Sequence, residues 1–146
     1  MSPRALGLWL LRVGLAGVYI FAAVPKLIDP WAFARAIHNF HILPAGAIPS
    51  LALWLPPLEA LAALAVLTGI LYRGGLVWLT GLSLAFAAGI VSAIARKLDI
   101  DCGCFGSLAR SSASWPHLVL NLATAAAGIL LIAVRARTPR RRRLPR

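Results

Sequence analysis

The sequence predicts an all-α integral membrane protein built as a four-helix bundle. Of its 146 residues, 60% are hydrophobic and only 13% are charged, and the mean hydropathy is +0.83. A soluble domain is nearer to half apolar and a quarter charged. Apolar runs of about 20 residues, the length that a helix needs to cross a bilayer, recur along the chain. We therefore predict one membrane domain over residues 1–134, followed by a basic tail over residues 135–146 whose dense charge is typical of disorder.

The first span is predicted at residues 5–24. It is longer than the apolar core of a signal peptide, and it is followed by Pro25 and Lys26 rather than by a small-residue cleavage site, so we interpret it as a retained helix. Arg12 is unusual there, because a charge at the centre of a membrane helix costs about 2.5 kcal/mol or more. Two interpretations stay open: the guanidinium reaches the membrane surface on the side of Arg4, or it pairs with a buried acid.

The connection after the first span contains a second helical pattern. In residues 31–43 apolar side chains recur every three positions from Trp31 onward, while Arg35 lies on another face. This pattern predicts a short amphipathic helix lying in the membrane interface. His38 and His41 are three residues apart in it, and we interpret them as polar interface residues, since a histidine at a wet surface needs no ligand.

The second span is predicted at residues 51–72 and has a pair of prolines beginning at Pro56. Proline is tolerated in the first turn of a helix and kinks a helix elsewhere, so we expect the regular helix to begin near Pro56. Glu59 would then lie in its first turn, near the membrane surface, where the helix dipole favours a carboxylate. We expect Glu59 to cap this helix, to form an ion pair with Lys26 or Arg12, or to do both.

The third and fourth spans are predicted at residues 76–95 and 116–134. Residues 72–75, which end in two adjacent glycines, predict a tight turn before the third span. Within the third span, Ser83 is expected to hydrogen-bond the backbone of its own helix rather than to take part in chemistry.

Positive charge is concentrated at one end of the chain. The sequence has 15 Lys and Arg against 4 Asp and Glu, a net charge of +11, and the tail is especially rich in arginine. Because Lys and Arg accumulate on the cytoplasmic side of membrane proteins, both termini are predicted to be cytoplasmic and both long connections extracytoplasmic, in the cell (inner) membrane. Beside a membrane span, the basic tail is expected to contact anionic lipid rather than nucleic acid.

Both cysteines of the chain, Cys102 and Cys104, lie in the connection between the third and fourth spans. Gly103 lets the backbone between them turn sharply enough for a small disulfide ring. Strained disulfides are more oxidising and exchange readily, which favours thiol–disulfide exchange. An inert structural disulfide stays open as an alternative. A zinc site with His38 and His41 has a suitable number of ligands but not the usual spacing, so we predict neither a metal nor a cofactor.

The segment that contains the cysteines, Asp101-Cys102-Gly103-Cys104-Phe105-Gly106, resembles the MauE family of methylamine utilisation membrane proteins. A pattern over most of the chain resembles the wider DoxX-like group. That pattern consists of Arg12, Lys26-Leu27-x-Asp29-Pro30-x-x-Phe33, Leu43-Pro44 and Pro57-x-Glu59.

The resemblance implies a four-helix membrane bundle with a role beside periplasmic redox maturation. MauE proteins are associated with making methylamine dehydrogenase, whose small subunit needs several disulfides, and they commonly act with a thioredoxin-like partner. By this resemblance Cys102 and Cys104 would be the redox pair. The residues expected to support them are Asp101, Gly103, Phe105, Gly106, Lys26, Glu59 and Arg12.

The chain holds a single cysteine pair. It cannot by itself run a dithiol relay from thiols to a quinone, so its assignment as an enzyme stays open, as one component of a thiol–disulfide oxidoreductase. Two other functions also stay open. One is a non-enzymatic scaffold subunit of a membrane oxidoreductase complex, held by the bundle and by Arg12 and Glu59. The other is a small transporter or quinone-site protein, indicated by charges within the membrane.

Overall fold

The computed structural model describes residues 3–98 and 115–137, and in these ranges it consists of helices and short connections. The helices are α1 (Pro3–Ile28), α2 (Pro30–Asn39), α3 (Ile48–Thr68), α4 (Tyr72–Ala95) and α5 (Trp115–Arg137), with a 3₁₀ turn, Ala45–Ala47, before α3. In the part of the chain that the structure describes, four segments are long and apolar enough to cross a membrane: Pro3–Ile28, Ala45–Thr68, Tyr72–Ala95 and Trp115–Arg135. The predicted four-helix membrane bundle is confirmed, and the chain is a multi-pass membrane protein.

The four long helices run antiparallel to their neighbours in the bundle. α3 packs between α1 and α4, α5 packs mainly against α4, and the short α2 packs against α3. We call the end of the bundle where α1 and α4 finish and α3 and α5 begin the loop end, and the opposite end the terminal end. The core between the helices is made of small and aliphatic side chains such as Ala16, Ala63, Val66, Leu76 and Leu79. Many large apolar side chains are exposed on the outside, as a surface in contact with lipid requires.

Two glycines let neighbouring helices pack closely. A Cβ atom on Gly75 of α4 would lie 2.8 Å from the carbonyl oxygen of Ala62 in α3, and one on Gly128 of α5 would lie 2.1 Å from Oγ1 of Thr80 in α4. The prediction of a tight turn at residues 72–75 is wrong for this reason. These residues already belong to α4, and Gly75 serves the contact between two helices rather than a reversal of the chain.

The chain reverses just before α4, at Gly69 and Leu71. Both residues have a positive φ, 89° and 53° respectively. Gly69 ends α3 in the left-handed conformation, and its N–H donates to the carbonyl of Ala65 at 3.0 Å. A glycine in this conformation is a common way to end a helix, because it lacks the Cβ that makes the left-handed region unfavourable.

α3 begins at Ile48 and continues through both prolines, so the expectation that the regular helix starts near Pro56 is wrong. A break there would leave several backbone N–H and C=O groups without partners in an apolar environment. A continuous helix lacks only the hydrogen bonds that the two prolines, having no N–H, cannot donate. Glu59 consequently lies eleven residues after the start of α3, about 16 Å along its axis at 1.5 Å per residue. It belongs to the middle of the span rather than to the membrane surface.

α2 is the short helix that the sequence predicts in the first connection, and much of its predicted apolar stripe meets the bundle, since Ala34 is buried there and Ile37 packs beside it. Trp31 does not. Asp29 caps its N-terminus by accepting a hydrogen bond from the backbone N–H of Ala32, at 2.8 Å. Phe33 is buried against Ile48 of α3, whereas Trp31 is 72% exposed. The apolar stripe that was predicted to begin at Trp31 therefore begins at Phe33, and α2 is part of the packed bundle.

We expect Gly128→Ala to destabilise the bundle, because the new Cβ would overlap the hydroxyl of Thr80 and overpacking of this kind costs about 1–3 kcal/mol. The measurement is the free energy of unfolding in mixed micelles titrated with a denaturing detergent. Gly14→Ala is the matched control, since a Cβ there meets nothing within 4 Å. Adding Thr80→Ala to Gly128→Ala should recover stability. Equal stability of Gly128→Ala and Gly14→Ala would contradict the close contact.

Candidate functional site

Lys26 and Glu59 form an ion pair in the interior of the bundle. Nζ of Lys26 donates to both carboxylate oxygens of Glu59, at 3.1 Å to Oε1 and 2.9 Å to Oε2. The side chain of Lys26 is 2% exposed and that of Glu59 is 0% exposed. Of the two partners that the sequence allowed for Glu59, the structure therefore selects Lys26 and not Arg12.

Two aromatic rings complete the surroundings of the ammonium group. Nζ of Lys26 lies 5.0 Å from the ring centroid of Phe33 in α2 and 5.0 Å from that of Phe86 in α4. Both distances are within the range of a cation–π contact, which strengthens when the cation is removed from water. A single side chain of α1 thus contacts α2, α3 and α4 at once.

Lys26 reaches this position because α1 does not end where the sequence predicts. The helix passes through Pro25 and continues to Ile28, so that Lys26 lies in its last turn. Side chains on a helix lean toward its N-terminus. The ammonium group is therefore directed from the loop end back toward the middle of the span, where Glu59 lies.

A second polar contact crosses the bundle, and sequence reasoning missed it. The hydroxyl of Tyr19 in α1 donates to the carbonyl of Leu79 at 2.7 Å and hydrogen-bonds Oγ of Ser83, both in α4. Ser83 is also hydrogen-bonded to Oγ1 of Thr124 in α5, at 2.9 Å. The expectation that Ser83 would bond the backbone of its own helix is wrong. Hydroxyl-bearing residues at comparable depths in three spans were the signal that could have indicated this contact.

Arg12 lies apart from the ion pair and completes the C-terminus of α3. Its Nε donates to the carbonyl of Val66 at 2.7 Å and its Nη2 donates to the carbonyl of Leu67 at 2.8 Å. The last carbonyls of a helix lack partners within the helix and carry partial negative charge. The guanidinium carbon also lies 5.0 Å from the ring centroid of Tyr72. The interpretation that Arg12 pairs with a buried acid is therefore wrong, because its partner is the end of a helix.

At the loop end, Arg96 joins the end of α4 to the end of α2. Its Nη2 donates to the carbonyl of Phe40. The rings of His38 and His41 lie 5.6 Å apart between their centroids. Within residues 3–98 and 115–137, no group of three or more His, Cys, Asp or Glu is placed to hold a metal ion. The zinc alternative would also need the two cysteines, which are not among these residues.

The cysteine motif lies outside the described residues. This applies to the predicted redox pair and to four of its predicted supporting residues: Cys102, Cys104, Asp101, Gly103, Phe105 and Gly106. The disulfide therefore stays a prediction. The structure does describe the two flanking helices, since α4 ends at Ala95 and α5 begins at Trp115, both at the loop end. Of the three supporting residues that it describes, Lys26 and Glu59 are brought together and Arg12 is not.

We expect Lys26→Met to lower the free energy of unfolding by about 3–5 kcal/mol, because it leaves the carboxylate of Glu59 buried without its partner. Detergent-induced unfolding measures the loss, and Lys97→Met, at an exposed lysine, is the control. The double variant Lys26→Met/Glu59→Leu removes both charges and should be more stable than Lys26→Met alone. If the double variant loses as much free energy of unfolding as Lys26→Met and Glu59→Leu lose together, the pairing is contradicted.

Arg12→Met should loosen the last turn of α3, because the carbonyls of Val66 and Leu67 lose the guanidinium that donates to them. Hydrogen–deuterium exchange read out over the α3–α4 turn should become faster, while exchange in α2 should not change. Arg35→Met, at an exposed position of α2, is the control for loss of an arginine. Unchanged exchange at the end of α3 would show that Arg12 does not hold this helix end.

Comparison with known proteins identifies the relatives of this chain. The family described as "Methylamine utilisation protein MauE" matches residues 4–134. A "Methylamine utilization protein MauE" of Paracoccus denitrificans is 34% identical over 125 residues, which cover 85% of this chain and 67% of the relative. Its namesake in Paracoccus versutus is 30% identical over 114 residues, covering 77% and 61%. The matched part thus spans about two thirds of the length of these relatives.

No solved structure matches the chain. The family match, however, extends from the first turn of α1 to the last turn of α5 and includes the segment with both cysteines. The chain belongs to the MauE family.

Proposed function

We propose that this chain is a membrane accessory protein of methylamine utilisation, which exchanges disulfides between Cys102–Cys104 and an extracytoplasmic thioredoxin-like protein. The names of the two Paracoccus relatives support the pathway. The sequence supports the chemistry, because its two cysteines lie together in the connection between α4 and α5. The oxidised partner would then form the disulfides of a periplasmic enzyme of the methylamine dehydrogenase type.

The observation that carries this proposal is that a connection with a lone cysteine pair is anchored in the bundle on both sides. Before it, Arg96 is hydrogen-bonded to the carbonyl of Phe40, which directly follows α2. After it, Leu118 of α5 is buried against Ala87 and Ile90 of α4. Neither anchor involves a cysteine, so the helices that carry the connection can keep their places in both oxidation states. A redox pair that alternates between disulfide and dithiol needs such a frame.

The proposed exchange has two steps. A thiolate of the reduced partner attacks one sulfur of the Cys102–Cys104 disulfide, whose S–S bond breaks, and a mixed disulfide forms while the other cysteine leaves as a thiolate. The second thiolate of the partner then attacks the mixed disulfide, which yields an oxidised partner and two reduced cysteines in this chain. Two electrons and two protons pass in total. Because the chain has no other cysteine, a second disulfide-bearing protein must reoxidise the pair.

We further propose that the loop end faces the periplasm and that both termini are cytoplasmic, in the inner membrane. Arg4 and Arg73 belong to the terminal end, and the arginine-rich tail follows α5 there, which fits the accumulation of positive charge on the cytoplasmic side. The cysteine connection would then lie on the side where disulfides persist. The tail would contact anionic lipid.

A non-enzymatic scaffold subunit of a membrane oxidoreductase complex is the second candidate. Arg12 holds the end of α3, and Lys26 and Glu59 hold four helices together. These polar residues therefore have structural contacts that need no chemistry. A scaffold would still bind its partner after both cysteines are replaced. A thiol–disulfide exchange protein without cysteines would form no mixed disulfide with a partner.

In Cys104→Ser, the lone thiolate of Cys102 should attack the disulfide of the oxidised thioredoxin-like partner and accumulate a mixed disulfide with it. The serine cannot displace the bound partner by closing the Cys102–Cys104 disulfide, which is the reverse of the first step of the exchange. Cys102→Ser tests whether Cys104 is instead the cysteine that binds the partner. The adduct is detected as a species of higher mass on a non-reducing gel, is identified by mass spectrometry, and disappears when a reductant is added. Formation of substrate disulfides should be lost in both single variants.

The double variant Cys102→Ser/Cys104→Ser is the matched control and should trap nothing. If neither single variant traps a partner and substrate disulfides still form, the exchange function is wrong. If the double variant still co-purifies the same partner in stoichiometric amount, the scaffold function takes its place.

A further inference from the structure

A groove of about 400 Å³ opens between α2, α3 and α4. Its walls include Phe33 of α2, Phe40 just after α2, Leu55 of α3, and Phe86 and Gly89 of α4. The lining residues that the structure describes are all apolar. Its volume is within the range of ligand pockets in proteins, about 300–1,000 Å³. Phe33 and Phe86 also cover the ammonium of Lys26, so these two rings separate the groove from the ion pair.

The groove runs along the axis of α4. On α4 it is lined from Leu82 to Ile90, about 12 Å along the helix axis at 1.5 Å per residue. The span that contains α4 ends at Ala95. The groove therefore begins less than two turns below the loop end and extends toward the middle of the bundle, in the direction that the hydrocarbon chain of a lipid follows.

A cation stands at the upper end of this groove. Arg96 directly follows α4, is exposed, and donates through Nη2 to the carbonyl of Phe40, which is itself a wall residue. Its Nε donates to the carbonyl of Ser92 at 3.2 Å. A guanidinium has five N–H donors in a planar fork, and the two bonds that Arg96 makes within residues 3–98 and 115–137 use two of them. Lys97 is exposed beside it.

We propose that this groove binds one acyl chain of an anionic phospholipid, with the lipid phosphate held by Arg96. The apolar walls match a hydrocarbon chain in chemistry and direction, and the guanidinium matches a phosphate in charge and geometry. The lipid would lie in the leaflet at the loop end and would cover the outer faces of Phe33 and Phe86. It would thereby keep water away from the wall that encloses the Lys26–Glu59 pair. This site is separate from the contact proposed for the basic tail, which follows α5 at the terminal end.

The lining also argues against an isoprenoid quinone. Recognition of a quinone ring requires donors beside its carbonyl oxygens, and polar groups of this kind fix the orientation of ligands in pockets. Within residues 3–98 and 115–137, the groove is lined only by Phe, Ile, Leu, Ala and Gly side chains, and the donor of Arg96 stands at its upper end rather than in its walls. A hydrocarbon chain needs no such donor.

Native mass spectrometry of the full-length protein tests the site. The protein is titrated with phosphatidylglycerol or with phosphatidylcholine of identical acyl chains, and the affinity for the first bound lipid is measured. Wild type should prefer phosphatidylglycerol. Arg96→Gln should reduce that preference about fivefold, which is the effect of one basic residue near an anionic lipid surface. Arg35→Gln, at an exposed arginine of α2, should leave it unchanged.

A second arm tests the chain-binding part of the groove. A Cβ on Gly89 would lie 3.7 Å from Phe40 Cε1, so a larger side chain there would enter the groove. Gly89→Leu should weaken binding of both lipids. Gly17→Leu is the matched control, because a Cβ at Gly17 meets nothing within 4 Å. Ala85→Leu fills the groove from an exposed lining position and serves if Gly89→Leu does not fold.

The proposal is overturned if the groove-filling variants bind both lipids as Gly17→Leu does, or if Arg96→Gln keeps the preference seen in Arg35→Gln. It is also overturned if a short-chain isoprenoid quinone displaces phosphatidylglycerol from wild type and loses affinity in Gly89→Leu. That last result would assign the groove to a redox cofactor instead of a lipid.

Discussion

An ammonium and a carboxylate meet inside this bundle, where almost no solvent reaches either group. Lys26 and Glu59 are 2% and 0% exposed, and each charge would be costly there without the other. Their contact fixes the depth of α1 relative to α3. The rings of Phe33 and Phe86, which close over the ammonium, add α2 and α4 to the same arrangement. The positions of four helices thus depend on one pair of side chains.

α3 is held by α1 at two depths, at Glu59 near its middle and at Val66 near its end. Apolar contacts between helices in lipid give little direction, because lipid tails are as apolar as the helix surfaces. Hydrogen bonds from Lys26 and Arg12 are directional. Because these two residues contact α3 at separate depths, they oppose both sliding and rotation of α3 relative to α1. This explains why Arg12 and Lys26 occur in a helix that crosses a membrane.

The features that could be predicted from the sequence are those that depend on local composition. The number of spans follows from the length of apolar runs, and the pairing of Lys26 with Glu59 was one of two options that charge allowed. The roles of Gly75 and Ser83 were predicted wrongly, because each depends on which helix lies opposite. The depth of Glu59 was also wrong: the helix-breaking tendency of Pro56, which is valid in water, is overridden where a broken helix would leave backbone groups without hydrogen bonds.

The same contacts give the charged residues of the spans a structural role. Arg12 and the Lys26–Glu59 pair are engaged with other helices and hold the frame of the bundle. In thiol–disulfide exchange the attacking thiolate can come from the partner, and strain in a small ring favours its opening without a neighbouring base. In the proposed exchange, a disulfide between Cys102 and Cys104 would therefore open without a base supplied by the spans. Specificity would then rest with the partner that approaches it.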